Sequence, residues 1–295
     1  MKVKSHLYSL IAICIWSSLE LAGKLLGEGI SPFAITAWRF LIGGAIIAPF
    51  AIVQGTRDKV KLNIGSILTL GALGILNVVV SMLLLQLAIY YGKASLTAVI
   101  VSMNPLFVSV FAWLIIKEKL SRYQIYSLIL GILGLLVIIL GEHEFRGGSF
   151  INLPLGVVYA VLAAITFALY TVLTKRAVAR FGNRITNSAA FLIGGLCLTA
   201  LNLVIGKSMA FELSFSNISL MLYLGIVVTG VAYLLYFEAM KALTAAKASI
   251  YFFLKPALAT LLAYFFLQEQ LSMVQVLGII LVMLALSRRI WMKYL

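Results

Sequence analysis

The chain has 295 residues, of which 63% are hydrophobic and only 11% charged, with a mean hydropathy of +1.11. Soluble domains are about half apolar and a quarter charged, so this composition excludes a water-soluble fold and points to a membrane protein. A formal net charge of +14 would suit a nucleic-acid binder, but the basic residues stand at the ends of apolar runs rather than in one patch interleaved with aromatics, which excludes nucleic acid as a partner.

A hydrocarbon core of ~30 Å needs about 20 apolar residues per helix. Runs of that length fall at 7–27, 33–53, 64–90, 94–116 and 123–141, and then at 153–174, 186–205, 218–240, 245–267 and 273–290. The expected fold is all-α, with ten transmembrane helices. The first run follows Lys2 and Lys4 as a secretory signal would, but its counterpart at 153–174 lies mid-chain, so a retained helix is expected. A linker carrying Gly147 and Gly148 separates two units, 1–145 and 152–295.

Those units are copies of each other. The stretch NPLFVSVFAWLIIKEKLSRYQ, 104–124, returns 151 positions later as KPALATLLAYFFLQEQLSMVQ, 255–275. Pro105, Glu118, Leu120, Ser121 and Gln124 recur as Pro256, Glu269, Leu271, Ser272 and Gln275. In the same frame FLIGG at 40–44 returns at 191–195, Gly74 returns as Gly225, and Lys24 as Lys175. Five spans per copy turn the second copy upside down, and the charges agree with that inversion. Arg57, Lys59, Lys61, Lys117 and Lys119 correspond to Ser208, Ala210, Glu212, Gln268 and Gln270, as two oppositely oriented copies require if each keeps its cations inside. Both termini are therefore expected in the cytoplasm, with the chain crossing the cell (inner) membrane many times.

Catalytic constellations are missing from the sequence. His6 and His143 have no second ligand at metal-binding spacing, and both read as interface residues. Cys14 and Cys197 lie in apolar runs and are not partners in the 151-residue frame, so no disulfide is implied. Gly206-Lys207-Ser208 resembles the end of a phosphate loop, but Leu201 stands where its first glycine belongs. No enzyme activity, cofactor or metal is called for.

Ionisable groups inside spans are costly in hydrocarbon and mark pathways. Trp16, Glu20 and Lys24 are spaced i, i+4, i+8, which places them on one helix face. Arg39 lies at similar depth on the next span, so Glu20 is expected to pair with Lys24 or Arg39, or to line the path and exchange a proton. Lys255 precedes Pro256 where Asn104 precedes Pro105. Each proline removes a helical hydrogen bond, so both helices should kink there. Lys255 either pairs with Glu238 or meets an anionic substrate group. Glu118 and Glu269 fall at helix ends and read as terminators or hinge contacts. Tyr90, Tyr91, Tyr170, Tyr233, Tyr236 and Tyr251 can supply cation-π faces or hydroxyls to a ligand. Tyr90, Tyr91 and Tyr236 lie near span ends and read as interface anchors, whereas Tyr170 and Tyr251 lie deeper and are the better ligand contacts. Gly23 and Gly27 match a small-residue packing motif, which serves either a monomer or a homodimer.

With the segment from Trp16 to Lys24, Arg39-Phe40 and the doubled proline-to-glutamate blocks in view, the chain resembles the drug/metabolite transporter superfamily in its ten-helix EamA-like branch. The resemblance implies two inverted five-helix repeats around a central cavity, working by alternating access to export small polar metabolites such as amino acids. The candidate charges Glu20, Lys24, Arg39 and Lys255 favour a zwitterion or anion, and proton coupling through Glu20 is one outcome. An organic cation bound by Glu20, Trp16 and tyrosines is the alternative; a channel and a lipid-handling protein are the readings from other classes.

Overall fold

The computed structural model describes residues 2–27, 30–142, 151–267, 272–274, 276–281 and 284. All regular structure among them is helical. Seven helices are long and apolar enough to cross a membrane: α1 (Val3–Leu26), α2 (Pro32–Arg57), α3 (Ile64–Tyr91), α4 (Leu96–Ile116), then, after a helix α5 (Arg122–Glu142), α6 (Leu153–Phe181), α7 (Asn183–Val204) and α8 (Phe215–Ala239). The ninth expected run forms α9 (245–267), which is broken into three pieces. Most of the tenth lies outside the described residues.

The helix starts are written in the sequence. Ser31 caps α2 by accepting from Ala34 N at 3.1 Å, with Pro32 in the first turn, where its missing N–H costs nothing. Asn63, Asn152, Ser214 and Thr244 cap α3, α6, α8 and α9 in the same manner. Ahead of α5, Ser121 and Gln124 bond each other's backbone N–H at 3.3 and 2.8 Å. The Ser121-x-x-Gln124 stretch is thus a capping box.

Several helices are interrupted. In α1 a turn at Ser17–Ser18 follows from both hydroxyls bonding back to carbonyls, Ser17 to Ile13 and Ser18 to Ile15, each at 2.8 Å. Such back-bonding bends helices. Before Pro105, α4 turns at Ser102–Met103. Before Pro256, α9 tightens to a 3-10 helix at Ile250–Phe253. Wide π-helical winding occupies Ile75–Met82 of α3 and Tyr223–Val231 of α8, overlapping stretches in the 151-residue frame.

The central contact is between α2 and α7, which run antiparallel. Trp38 near the start of α2 donates to Met209 O, just beyond the end of α7, at 2.9 Å, while Arg184 at the start of α7 donates its N–H to Gln54 near the end of α2 at 3.3 Å. Between them Phe40 and Phe191 meet edge to face at 5.0 Å. Glycines bring the backbones close, as small residues do inside membranes. A Cβ on Gly44 would lie 2.9 Å from Leu192, and one on Gly195 would lie 2.9 Å from Leu41. The exchange repeats at the flanks: a Cβ on Gly74 would lie 2.9 Å from Gly194 N, and one on Gly43 2.9 Å from Gly225 O. Gly23 also packs within the chain, accepting from Gln86 Nε2 at 3.3 Å.

Candidate functional site

Glu20 follows the turn in α1, and Lys255 follows the 3-10 turn in α9. They form an ion pair, Lys255 Nζ to Glu20 Oε1, in which both side chains are 2% exposed. Two sequence expectations are corrected here: Glu20 is paired with Lys255 rather than with Lys24 or Arg39, and the partner of Lys255 is Glu20 rather than Glu238. Glu238 instead meets Lys241 at 2.8 Å and accepts from Asn183 at 3.0 Å. The remaining oxygen, Glu20 Oε2, is buried without a hydrogen-bond partner.

Arg39, on α2, is 1% exposed, and its Cζ lies 4.9 Å over the Phe40 ring. Its Nε and Nη1 have no partner in the protein. Glu20 and Tyr233 are near enough to act on it electrostatically. In a medium of low dielectric those interactions carry far more weight than they would in water.

An aromatic cluster lies beside these charges. Trp16 donates its indole N–H to Val228 O at 2.9 Å, in the π-helical part of α8. Its ring is 4.9 Å from Tyr233, 5.0 Å from Tyr236, 5.5 Å from Phe252 and 5.8 Å from Phe167. Tyr170 stacks on Phe167 at 5.9 Å. The hydroxyls of Tyr170 and Tyr236, both side-chain polar atoms of Asn77, and Oγ1 of Thr171 and Thr229 are buried without partners.

Of the residues singled out from the sequence, the fold gathers Trp16, Glu20, Arg39, Tyr170 and Lys255. The turn at Ser17–Ser18 prevents Trp16, Glu20 and Lys24 from sharing one continuous helix face. Lys24 donates to Gly92 O at 3.3 Å. Asn104 is buried and donates to Ala164 O at 3.2 Å. Tyr251 meets His6 Nδ1 at 2.9 Å, and His6 is half-buried near the start of α1. Tyr236, expected as an interface anchor, is fully buried against Trp16. Tyr233, one of the tyrosines offered by the sequence, joins the gathered residues at the centre of the aromatic cluster. Asn77 is not among those singled out from the sequence, although a lone asparagine inside an apolar run was a legible signal.

A second cluster ties three elements together. Lys175 pairs with Glu118 at 2.5 Å and donates to Leu243 O at 2.9 Å, while Ala245 N donates to Glu118 Oε2 at 2.8 Å. Lys24 to Gly92 is the same contact as Lys175 to Leu243, moved by 151 positions. Glu269, the counterpart of Glu118, lies outside the described residues. Among the described residues no three His, Cys, Asp or Glu side chains gather as a metal site.

A buried ion pair thus joins two interrupted helices beside a buried guanidinium with two unpartnered nitrogens. The sequence model of the EamA-like transporter family matches residues 3–140 and again 154–287. The chain belongs to this family. Among EamA relatives, an uncharacterized transporter of Clostridium kluyveri is 33% identical over 95% of this chain and 91% of its own. Protein PecM of Dickeya dadantii is 25% identical over 97% of this chain and 91% of its own. A crystal structure superposes with a TM-score of 0.76 over 99% of this chain and 100% of that one. At 19% identity that likeness shows the fold alone. The family lies in the drug/metabolite transporter superfamily, and the protein is a multi-pass membrane transporter whose relatives are transporters rather than enzymes.

Proposed function

We propose that the protein is a secondary transporter that exports small polar metabolites, zwitterions or anions such as amino acids, by alternating access across the cell membrane, with both termini cytoplasmic. The observation that carries this is the Glu20–Lys255 pair, which joins an interrupted helix of the first half to an interrupted helix of the second. The helices broken at matching places in the two halves are α4 and α9, before Pro105 and Pro256, and such breaks mark substrate sites in transporters of this kind; Lys255 stands at one of them. The antiparallel α2 and α7, with their exchanged glycine contacts, support two inverted five-helix repeats, 1–145 and 152–295, as does the family match in two segments. In this reading Trp16, Glu20, Arg39, Tyr170 and Lys255 meet the substrate. Lys24, Asn104 and Tyr251 enter the pathway as the helices bend at Pro105 and Pro256.

Glu20 is already neutralised by Lys255, which counts against the organic-cation reading. Counterflow in vesicles containing the purified protein tests the proposal. Loading with an unlabelled amino acid or organic carboxylate should accelerate entry of the same labelled compound, with saturation, for at least one of the two classes. Flux that rises linearly with concentration and shows no acceleration would mean a channel.

A further inference from the structure

We infer that the transported molecule is an organic monoanion with an apolar body, its carboxylate held by Arg39 with Asn77 and Tyr233. The inference rests on the transporter reading and narrows it. Among the described residues, Glu20, Arg39 and Lys255 are the buried ionisable groups with full charge. Glu20 and Lys255 cancel each other, so the interior is left with one positive charge, that of Arg39.

A guanidinium cannot shed its proton in proteins, and an uncompensated charge at this depth is costly. Two of its nitrogens have no partner in the protein, and Tyr233 lies close enough to act on it electrostatically. Asn77 is fully buried with both polar atoms unpaired, and it approaches Tyr233. A carboxylate accepts from Arg39 Nε and Nη1 and from Asn77 Nδ2 at once, since charge-assisted bonds from guanidinium and amide suit its oxygens. A zwitterion would bring an ammonium group beside Arg39 unless Glu20 released Lys255, leaving that lysine buried and alone. A cation meets a net positive interior.

The surrounding rings describe the other end of the ligand. Tyr233 contacts Phe191 at 4.9 Å and Trp16 at 4.9 Å, and Phe40 at 5.9 Å, so an apolar or aromatic body suits the same place. The charge is also one-sided: in the 151-residue frame Arg39, Glu20, Lys255 and Asn77 correspond to Ala190, Thr171, Asn104 and Val228. The carboxylate site therefore has no symmetry-related copy at the corresponding positions, which fixes the orientation of the ligand.

Phenylacetate, phenylalanine and phenethylamine share a ring and differ in charge, which makes them the probes. With purified wild-type protein, phenylacetate is expected to raise the unfolding temperature and the other two to leave it unchanged, because a ligand bound only to the native state stabilises it. Indole-3-acetate and hexanoate extend the carboxylate arm. In Arg39→Gln the carboxylate shift should vanish, and in Arg39→Lys it should persist with at least tenfold weaker affinity. An equal shift from phenylalanine or phenethylamine overturns the inference, as does the absence of a shift with all three carboxylates. The wild-type comparison holds even if a variant fails to fold. Saturable vesicle flux of the zwitterion or amine instead of the carboxylate would end the inference while leaving transport intact. The absence of saturable flux for every probe would end the transporter reading itself.

Discussion

Glu20 and Lys255 stand 235 positions apart and neutralise each other with both side chains almost fully buried. Removing one partner of a buried pair costs about 3–5 kcal/mol, whereas replacing both with apolar groups of similar volume is often neutral. Glu20→Leu and Lys255→Met should each lower the unfolding temperature in detergent by several degrees, and the double variant should recover most of the loss. A double variant as unstable as the two losses added together would show that the residues are not coupled.

Gly74 and Gly44 look alike in the sequence but face different neighbours. A Cβ on Gly74 would run into backbone, the Ala190 carbonyl and Gly194 N, whereas one on Gly44 would first meet the Leu192 side chain. Overpacking costs about 1–3 kcal/mol, and a side chain gives way more easily than a backbone. Gly74→Ala should therefore lower the thermal midpoint more than Gly44→Ala. Equal losses would mean that the α3–α7 contact can widen.

Trp16→Phe keeps an aromatic ring and deletes the bond to Val228 O. Leaving a buried carbonyl without its donor costs about 1–3 kcal/mol; Trp16→Ala, which also opens a cavity, should cost about 3–5 kcal/mol. Thermal melts of the two variants check the order, and a Trp16→Phe protein as stable as wild type would show that the carbonyl finds another donor.

Glu118 joins Lys175 to the start of α9. Glu118→Gln keeps an acceptor for Ala245 N and loses only the charge, whereas Glu118→Ala loses both contacts and should be less stable by a further ~1–3 kcal/mol. In combination with Lys175→Met the losses should fall short of additive, as a double-mutant cycle by thermal melting will reveal.

The apolar runs were legible because a bilayer demands about 20 apolar residues. Recurrence singled out Ser121 and Gln124, but their capping role, like that of Ser31, emerges only in the fold, where each side chain meets a backbone N–H. Spacing along one helix says which side chains share a face, but not which helices come together. The pairing of Glu20 with Lys255 was therefore hidden, since it depends on how α1 meets α9. The turn at Ser17–Ser18 was hidden too, because serines break a helix only when they bond back to its carbonyls. Tyr236 stood near the end of its run, where an interface residue is the ordinary case, and only the packing of α8 against α1 buries it.

The glycine crossing of α2 and α7 also bears on synthesis. When the first half leaves the ribosome, the groove at Gly43 and Gly44 has no occupant, because Leu192 and Gly225 have not yet been made. The newborn half is an unfinished surface that must wait in the bilayer for the other. By the same token the protein can be made from two genes: halves cut within 143–150 and expressed together should find each other, each bringing the ridge that fills the other's groove.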